Sequence, residues 1–193
     1  MKTLFDTNVI LDVLLDREPF SNDASFLLSK VENSEIIGYI CATTVTTIHY
    51  LATKALGAQA ASDHIRSLLS LFVIAPVNRV VLENAVASKF EDFEDAVLHE
   101  AACHAGAKYI VTRNLSDFKE SKLPVFEPGE FIKNIESLDK KKLYEIVDAI
   151  PDKIIANQFK QYIRQTKQQI QKSNMVEQIN KLWNKMLEKV EIR

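Results

Sequence analysis

Short apolar runs alternate with longer segments of helical spacing along the first two thirds of this 193-residue chain. Continuous apolar runs suit strands that are covered on both faces, and five such runs predict strands over 3–5, 36–40, 71–74, 109–111 and 125–126. Between them, apolar residues recur every three or four positions over 9–15, 24–31, 44–56, 60–69, 80–87 and 93–105, as in amphipathic helices. This alternation predicts an α/β fold with a mainly parallel central sheet.

The pattern changes at Pro128-Gly129, beyond which only helical spacing remains. Apolar positions from Leu143 to Ile163, and again from Met175 to Val190, predict a C-terminal helical extension. We therefore predict two domains, an α/β domain over 1–132 and a helical extension over 133–193.

Charge separates the same two regions. Residues 133–193 hold 13 basic and 8 acidic side chains, whereas residues 1–132 hold 11 basic and 18 acidic ones. The first domain is therefore acidic and the extension basic. No segment approaches the roughly 18 uninterrupted apolar residues of a membrane helix, and the first residues do not resemble a signal peptide, which predicts a cytoplasmic protein without membrane contact. The two cysteines, Cys41 and Cys103, indicate neither a disulfide nor a structural zinc site.

Acidic residues stand at three places where a site is expected. Asp6 ends the first predicted strand, Asp117 follows the strand 109–111, and the segment 91–95 opens a helix with four carboxylates. Helix capping, turn formation and the helix dipole explain each place separately. However, the carboxyl ends of neighbouring parallel strands meet at one edge of a sheet, where ligands bind. Carboxylates gathered there repel one another unless a cation lies among them, and oxygen ligands favour Mg²⁺ or Mn²⁺.

These motifs resemble those of the PIN domain family, which includes VapC-type toxins of bacterial toxin–antitoxin pairs. The resemblance extends from Lys2 to about Ile132. It is carried by Asp6-Thr7-Asn8 after the first strand, Glu94-Asp95-Ala96 opening a helix, the strand and loop 110–114, and Asp117-Phe118. It implies a three-layer α/β/α fold and a metal-dependent endoribonuclease that hydrolyses RNA phosphodiester bonds.

The resemblance also implies roles for individual residues. It makes Asp6, Asp95 and Asp117 catalytic residues and ligands of Mg²⁺ or Mn²⁺, with Glu94 as a further catalytic carboxylate. The substrate contacts that we expect are Asn8, His49, Thr112 and Asn114. RNA is the implied substrate. We also consider an antitoxin protein and a second copy of this chain as partners.

Several alternatives remain open at this stage. Many family members have a Glu where this chain has His49, which leaves room for a non-catalytic module that binds RNA or protein on a PIN scaffold. A haloacid-dehalogenase-like phosphatase also starts with an Asp after its first strand, but it needs a second Asp where Asn8 stands. His99, Cys103 and His104 offer a zinc site, although a closed zinc site usually needs four such ligands. His99 also lies one helical turn after Asp95, where it can either pack in the core or support that carboxylate from outside the site.

Overall fold

The computed structural model describes residues 1–151 and 153–166. Within this part of the chain, all neighbouring strands of the sheet are parallel, and their order is β3-β2-β1-β4-β5. The strands are β1 (Lys2–Phe5), β2 (Ile37–Cys41), β3 (Val73–Ala75), β4 (Tyr109–Val111) and β5 (Val125–Phe126). The predicted α/β fold with a mainly parallel sheet is confirmed. The third strand starts later than predicted, because Leu71 still belongs to the preceding helix.

Helices connect successive strands and follow the last one. They are α1 (Thr7–Leu14), α2 (Ser21–Glu32), α3 (Ala42–Leu56), α4 (Ala58–Leu71), α5 (Arg79–Ala87), α6 (Phe93–Ala105), α7 (Pro128–Asp148) and α8 (Lys153–Thr166), with a 3₁₀ helix over Leu115–Phe118. Gly106 ends α6 in the left-handed conformation, with φ of 75°, which glycine adopts at little steric cost. No helix in the described part of the chain has the length and hydropathy of a membrane span.

The sheet separates two apolar cores. Side chains alternate between the faces of a strand, so Phe5 packs in one core while its neighbour Leu4 packs in the other. Helices α1 to α4 and the start of α7 supply the core around Phe5, and α5 and α6 supply the core around Leu4. The predicted three-layer α/β/α arrangement is therefore confirmed.

The chain divides into two compact units, Met1–Glu136 and Ser137–Arg193. The boundary predicted after residue 132 falls inside α7, and the buried Ile135 belongs to the core of the first unit. The domain bounds taken from the sequence therefore stay a prediction. In the second unit, Lys160 of α8 forms an ion pair with Asp148. The predicted amphipathic run over 175–190 lies outside the described residues.

Gly38 lies at a tightly packed point of β2. A Cβ added there would come within 2.7 Å of ring carbons of Phe72 and 2.8 Å of Val31 Cγ1. Both neighbours belong to the core around Phe5. The absence of a side chain at Gly38 is therefore what lets Phe72 and Val31 pack against the sheet.

We expect Gly38→Ala to lower the free energy of unfolding by about 1–3 kcal/mol, because an extra methyl group overpacks this core. Urea denaturation measures the change. Gly129→Ala is the matched control, since its added Cβ would meet only Asp23 Oδ2, at 2.9 Å, at the end of a movable side chain. Equal destabilisation of both variants would contradict the packing argument.

Candidate active site

The candidate site lies where β1 and β4 end side by side. The two strands are paired in parallel with Phe5 opposite Val111, and the backbone N–H of Asp6 donates to the carbonyl of Val111 at 2.9 Å. The order of the strands reverses between β1 and β4. Ligands of parallel α/β sheets bind at such a reversal, beyond the carboxyl ends of the strands.

Asp6 is a buried carboxylate with several hydrogen bonds. It is the N-cap of α1, and its Oδ1 accepts from the Thr7 N–H at 2.5 Å. Its Oδ2 accepts from Asn8 Nδ2 at 2.6 Å and from Thr112 Oγ1 at 2.7 Å. Burial raises the pKa of Asp6 above its ordinary value, while the hydrogen bonds from Thr112 and Thr7 oppose this shift. Capping and site formation are thus two roles of one side chain.

Thr112 connects Asp6 to the loop after β4. Its hydroxyl is fully buried, and besides donating to Asp6 it accepts from Asn8 Nδ2 at 3.1 Å and from the Asn114 N–H at 3.0 Å. Asn8 Oδ1 in turn accepts from the Arg113 N–H at 3.2 Å. The predicted residues Asn8 and Thr112 therefore hold the loop against the start of α1.

The acidic segment at the start of α6 contains residues with different roles. Asp92 caps the helix, because its Oδ1 accepts from the N–H groups of Glu94 at 2.7 Å and Asp95 at 3.2 Å. Asp95 is partly buried, and its pKa is raised to about 7, first by burial and then by repulsion from the carboxylates of Asp6, Asp92, Asp117 and Glu94. Carboxylates of all three predicted acidic segments thus contribute to the raised pKa of Asp95.

Helix α3 contributes hydroxyl groups to this region. Thr44 Oγ1 accepts from Thr7 Oγ1 at 3.2 Å, and Thr47 Oγ1 donates to Oε1 of the exposed Glu94 at 3.4 Å. His49 is also exposed, and it is two residues from Thr47, which places it about 200° further around the helix. In the described part of the chain, no hydrogen bond or ion pair joins His49 to the acids. The predicted contact of His49 with substrate stays a prediction.

Asp117 and Asn114 are exposed in the loop that follows β4. Asn114 precedes the 3₁₀ helix Leu115–Phe118, and its carbonyl accepts from the Asp117 N–H at 3.0 Å. The next side chain, Phe118, is buried and makes an edge contact with Phe90, with ring centroids 5.8 Å apart. Phe118 therefore anchors the turn while Asp117 stays accessible.

His99 packs in the core, which is the first of the two alternatives from the sequence, and its described contacts do not include Asp95. Its Nε2 accepts from the Lys122 N–H at 3.0 Å, and its ring lies 5.0 Å from the ring of Phe90. Burial lowers the pKa of His99, which keeps the ring neutral for this contact. Among the residues that the structure describes, no three His, Cys, Asp or Glu side chains form a ready-made metal-binding group. Neither the zinc alternative nor the set Asp6, Asp95 and Asp117 is therefore preassembled as a metal site in this region.

The sequence analysis missed Asp12 and Arg113. Asp12 is fully buried in α1, and its Oδ2 lies 3.2 Å from Arg113 Nε, next to the loop that carries Thr112 and Asn114. The signal was present in the sequence, because Asp12 is a charged residue within the apolar run 9–15. A buried charge needs a partner, but the sequence does not indicate which distant cation supplies it.

Comparison with known families agrees with this geometry. The PIN domain model matches residues 2–116 of the chain. The chain belongs to the PIN domain family. Nucleases with a PIN domain generally use divalent metal ions. No curated protein matches the sequence.

Solved structures of PIN-domain toxins have the same fold. A toxin–antitoxin complex from Klebsiella pneumoniae is 27% identical, with a TM-score of 0.51, and the match covers 65% of this chain and 97% of the other. FitAcB from Neisseria gonorrhoeae is 21% identical, with a TM-score of 0.51 and coverage of 65% and 97%. VapBC2 from Rickettsia felis, bound to a fragment of promoter DNA, is 13% identical, with a TM-score of 0.51 and coverage of 66% and 98%. About a third of this chain has no counterpart in them.

The raised pKa of Asp95 predicts a pH-dependent stability without metal. The folded protein holds the Asp95 proton with a pKa of about 7, against an ordinary value of 3.8. The stability that this proton contributes is complete below the ordinary value and is lost as the pH rises through about 7. We therefore expect the melting temperature of the wild type in chelator to fall between about pH 4 and pH 7, and Asp95→Asn to reduce that fall.

Calorimetry at both pH values measures this difference. Glu32→Gln, which removes an exposed acid at the end of α2, is the control and should keep the wild-type pH dependence. An Asp95→Asn variant with the same pH dependence as the wild type would show that Asp95 does not titrate in this range.

Proposed function

We propose that this protein is a metal-dependent endoribonuclease and the toxin of a toxin–antitoxin pair. The observation that carries the proposal is the gathering of carboxylates at the β1–β4 edge, where burial, and then repulsion from Asp6, Asp92, Asp117 and Glu94, raises the pKa of Asp95 to about 7. The residue types fit Mg²⁺ or Mn²⁺, since such repulsion is relieved by a cation and hard cations prefer oxygen ligands. In this proposal Asp6, Asp95 and Asp117 hold the metal.

A divalent cation held there supplies a nucleophilic water at neutral pH and neutralises charge on the phosphate. The protein contributes position and proton transfer. Thr112 and Asn8 orient Asp6 through hydrogen bonds of 2.7 and 2.6 Å, so that this carboxylate does not have to reorganise during reaction. Glu94 is exposed beside Asp95 and accepts the proton of the attacking water, or adds a ligand. Asn114, in the exposed loop, donates its amide to a phosphate oxygen.

The two other functional classes find less support. A haloacid-dehalogenase-like phosphatase needs a proton-transferring Asp where Asn8 stands, and the amide of Asn8 is already hydrogen-bonded to Asp6 and Thr112. A non-catalytic module would not need to retain mutually repelling acids, which reduce stability. The toxin assignment draws on the toxin–antitoxin complex from Klebsiella pneumoniae, which is 27% identical to this chain.

We expect Asp117→Asn to abolish RNA cleavage while the protein stays folded, because the variant loses a metal ligand and also one repelling charge. Cleavage of a labelled RNA in Mn²⁺ and in chelator measures activity. Melting temperatures with and without millimolar Mn²⁺ measure binding, since a ligand of the folded state stabilises it. The wild type should gain stability with Mn²⁺, and Asp117→Asn should gain less.

Glu120→Gln, an exposed acid three residues away, is the matched control for this experiment and should cleave normally. Cleavage by Asp117→Asn at the wild-type rate would exclude Asp117 from the site. Expression of the wild type and of Asp117→Asn in bacteria tests the toxin assignment, because of these two only the wild type should arrest growth.

We also propose that the basic extension binds the RNA backbone. From residue 153 to residue 185 there is one acid, Glu177, against seven basic residues: Lys153, Lys160, Arg164, Lys167, Lys172, Lys181 and Lys185. An acidic site repels RNA at long range, so a basic region on the same chain offsets that repulsion. Packing or dimerisation through the apolar positions of the extension is the competing explanation.

Replacing Lys153, Lys167 and Lys172 with Gln should weaken RNA binding and flatten its salt dependence, by about 0.7 in log–log slope for each phosphate that the variant no longer neutralises. Binding is measured by fluorescence anisotropy across salt concentrations. The control replaces the exposed Lys2, Lys89 and Lys108 with Gln, which changes net charge equally. An identical slope in both triple variants would assign the extension to packing or dimerisation.

A further inference from the structure

Three polar residues of α1 and its N-cap contact the residues that follow β4. Asp6 Oδ2 accepts from Thr112 Oγ1 at 2.7 Å, and Asn8 Oδ1 accepts from the Arg113 N–H at 3.2 Å. One turn further along α1, Asp12 Oδ2 lies 3.2 Å from Arg113 Nε. The first two contacts belong to the proposed active site. The third lies outside it, and the proposed reaction assigns it no role.

Asp12 is an unusual residue for the interior of this protein. It is 0% exposed, and within the described residues neither of its oxygens has a well-aligned hydrogen bond. Its charged neighbours are Arg113 and Arg17, whose Nη1 lies 4.0 Å from Asp12 Oδ1. Burial raises the pKa of Asp12, and the two guanidinium groups oppose that shift. Apolar residues often stabilise such a position as well as an ion pair does, so stability alone does not explain this pair.

The side chain of Arg113 is held from two directions. Asp12 Oδ2 lies 3.2 Å from its Nε in an ion pair without an aligned hydrogen bond, and the guanidinium carbon lies 4.2 Å from the centre of the Phe20 ring, in a cation–π contact. Arg113 is also the residue between Thr112, which donates to Asp6, and Asn114, whose N–H donates back to Thr112. Fixing the Arg113 side chain therefore restricts the backbone of both neighbours.

We propose that the buried Asp12–Arg113 ion pair is a positioning device for the loop that carries Thr112 and Asn114 and leads to Asp117. Separating the two charges would leave each without its partner in a water-poor environment, so the pair favours one arrangement of the loop. Arg113 and Asp12 are thus positioning residues that act through the loop and do not touch the substrate. This inference rests on the proposed nuclease function for its effect on catalysis.

The double variant Asp12→Leu/Arg113→Met tests the proposal. It removes both buried charges together, which avoids leaving one of them unpaired and keeps the fold. We expect a melting temperature near that of the wild type. The kcat at saturating RNA should be about tenfold lower, and half-maximal activity should need a higher Mn²⁺ concentration, as for other residues that orient metal ligands. Wild-type values of both kinetic quantities would overturn the proposal.

Amide hydrogen exchange in chelator gives a readout that does not depend on activity. The Arg113 and Asn114 amides donate to Asn8 and Thr112 in the structure, so they should be protected in the wild type and exchange faster in the double variant. Unchanged protection of both amides would overturn the positioning role. If the wild type neither cleaves RNA nor responds to Mn²⁺, the nuclease function fails, and the exchange result still decides whether the pair positions the loop.

Two further variants keep the result interpretable. Arg79→Gln/Glu83→Gln removes an exposed ion pair of α5, 3.3 Å long, and should leave kinetics and exchange unchanged. Arg113→Lys keeps the buried positive charge but has neither the Nε donor nor the flat guanidinium face. We expect this variant to fold and to show a smaller loss of kcat with faster exchange at Asn114. Wild-type kcat and exchange in Arg113→Lys would overturn the proposal even if the double variant failed to fold.

Discussion

The buried carboxylate of Asp6 is the constraint on which the rest of the site depends. A carboxylate that leaves water needs hydrogen-bond donors, and at the end of a central parallel strand few are available. The Thr7 N–H, Asn8 Nδ2 and Thr112 Oγ1 supply them at 2.5, 2.6 and 2.7 Å. Two of these donors lie in the first turn of α1, and the third directly follows β4. Satisfying one buried charge therefore joins two distant segments.

In the proposed nuclease, the acids of the site serve metal binding at a cost in stability. Asp92 caps α6 and stabilises its start, whereas Asp95, one turn later, is repelled by four other carboxylates. The same short segment thus contains a residue that stabilises the helix and one that strains the folded state until its charge is compensated. Such conflicts are typical of functional sites, because selection retains residues there for chemistry and not for stability.

Proteins that have few residues identical to those of this chain still share its fold. The sheet needs apolar strands, and its two cores need side chains of suitable volume, which many sequences provide. The structure of VapBC2 shares 13% of its residues with this chain and yet has the same fold. What a PIN fold fixes is the edge at which β1 and β4 end. The proposed function assigns the chemistry to the polar residues at that edge, Asp6 and Thr112 among them.

The sequence by itself determined the α/β class, the five strands and the acids Asp6, Asp95 and Asp117 as candidates, because apolar periodicity and polar residues at strand ends are local signals. It did not indicate that Thr47 of α3 donates a hydrogen bond to Glu94. It also gave no partner for Asp12, since Arg113 lies 101 positions away and meets it only when β1 and β4 pair. Burial, charge pairing and the pKa of Asp95 depend on contacts between distant segments, and only the tertiary structure decides those.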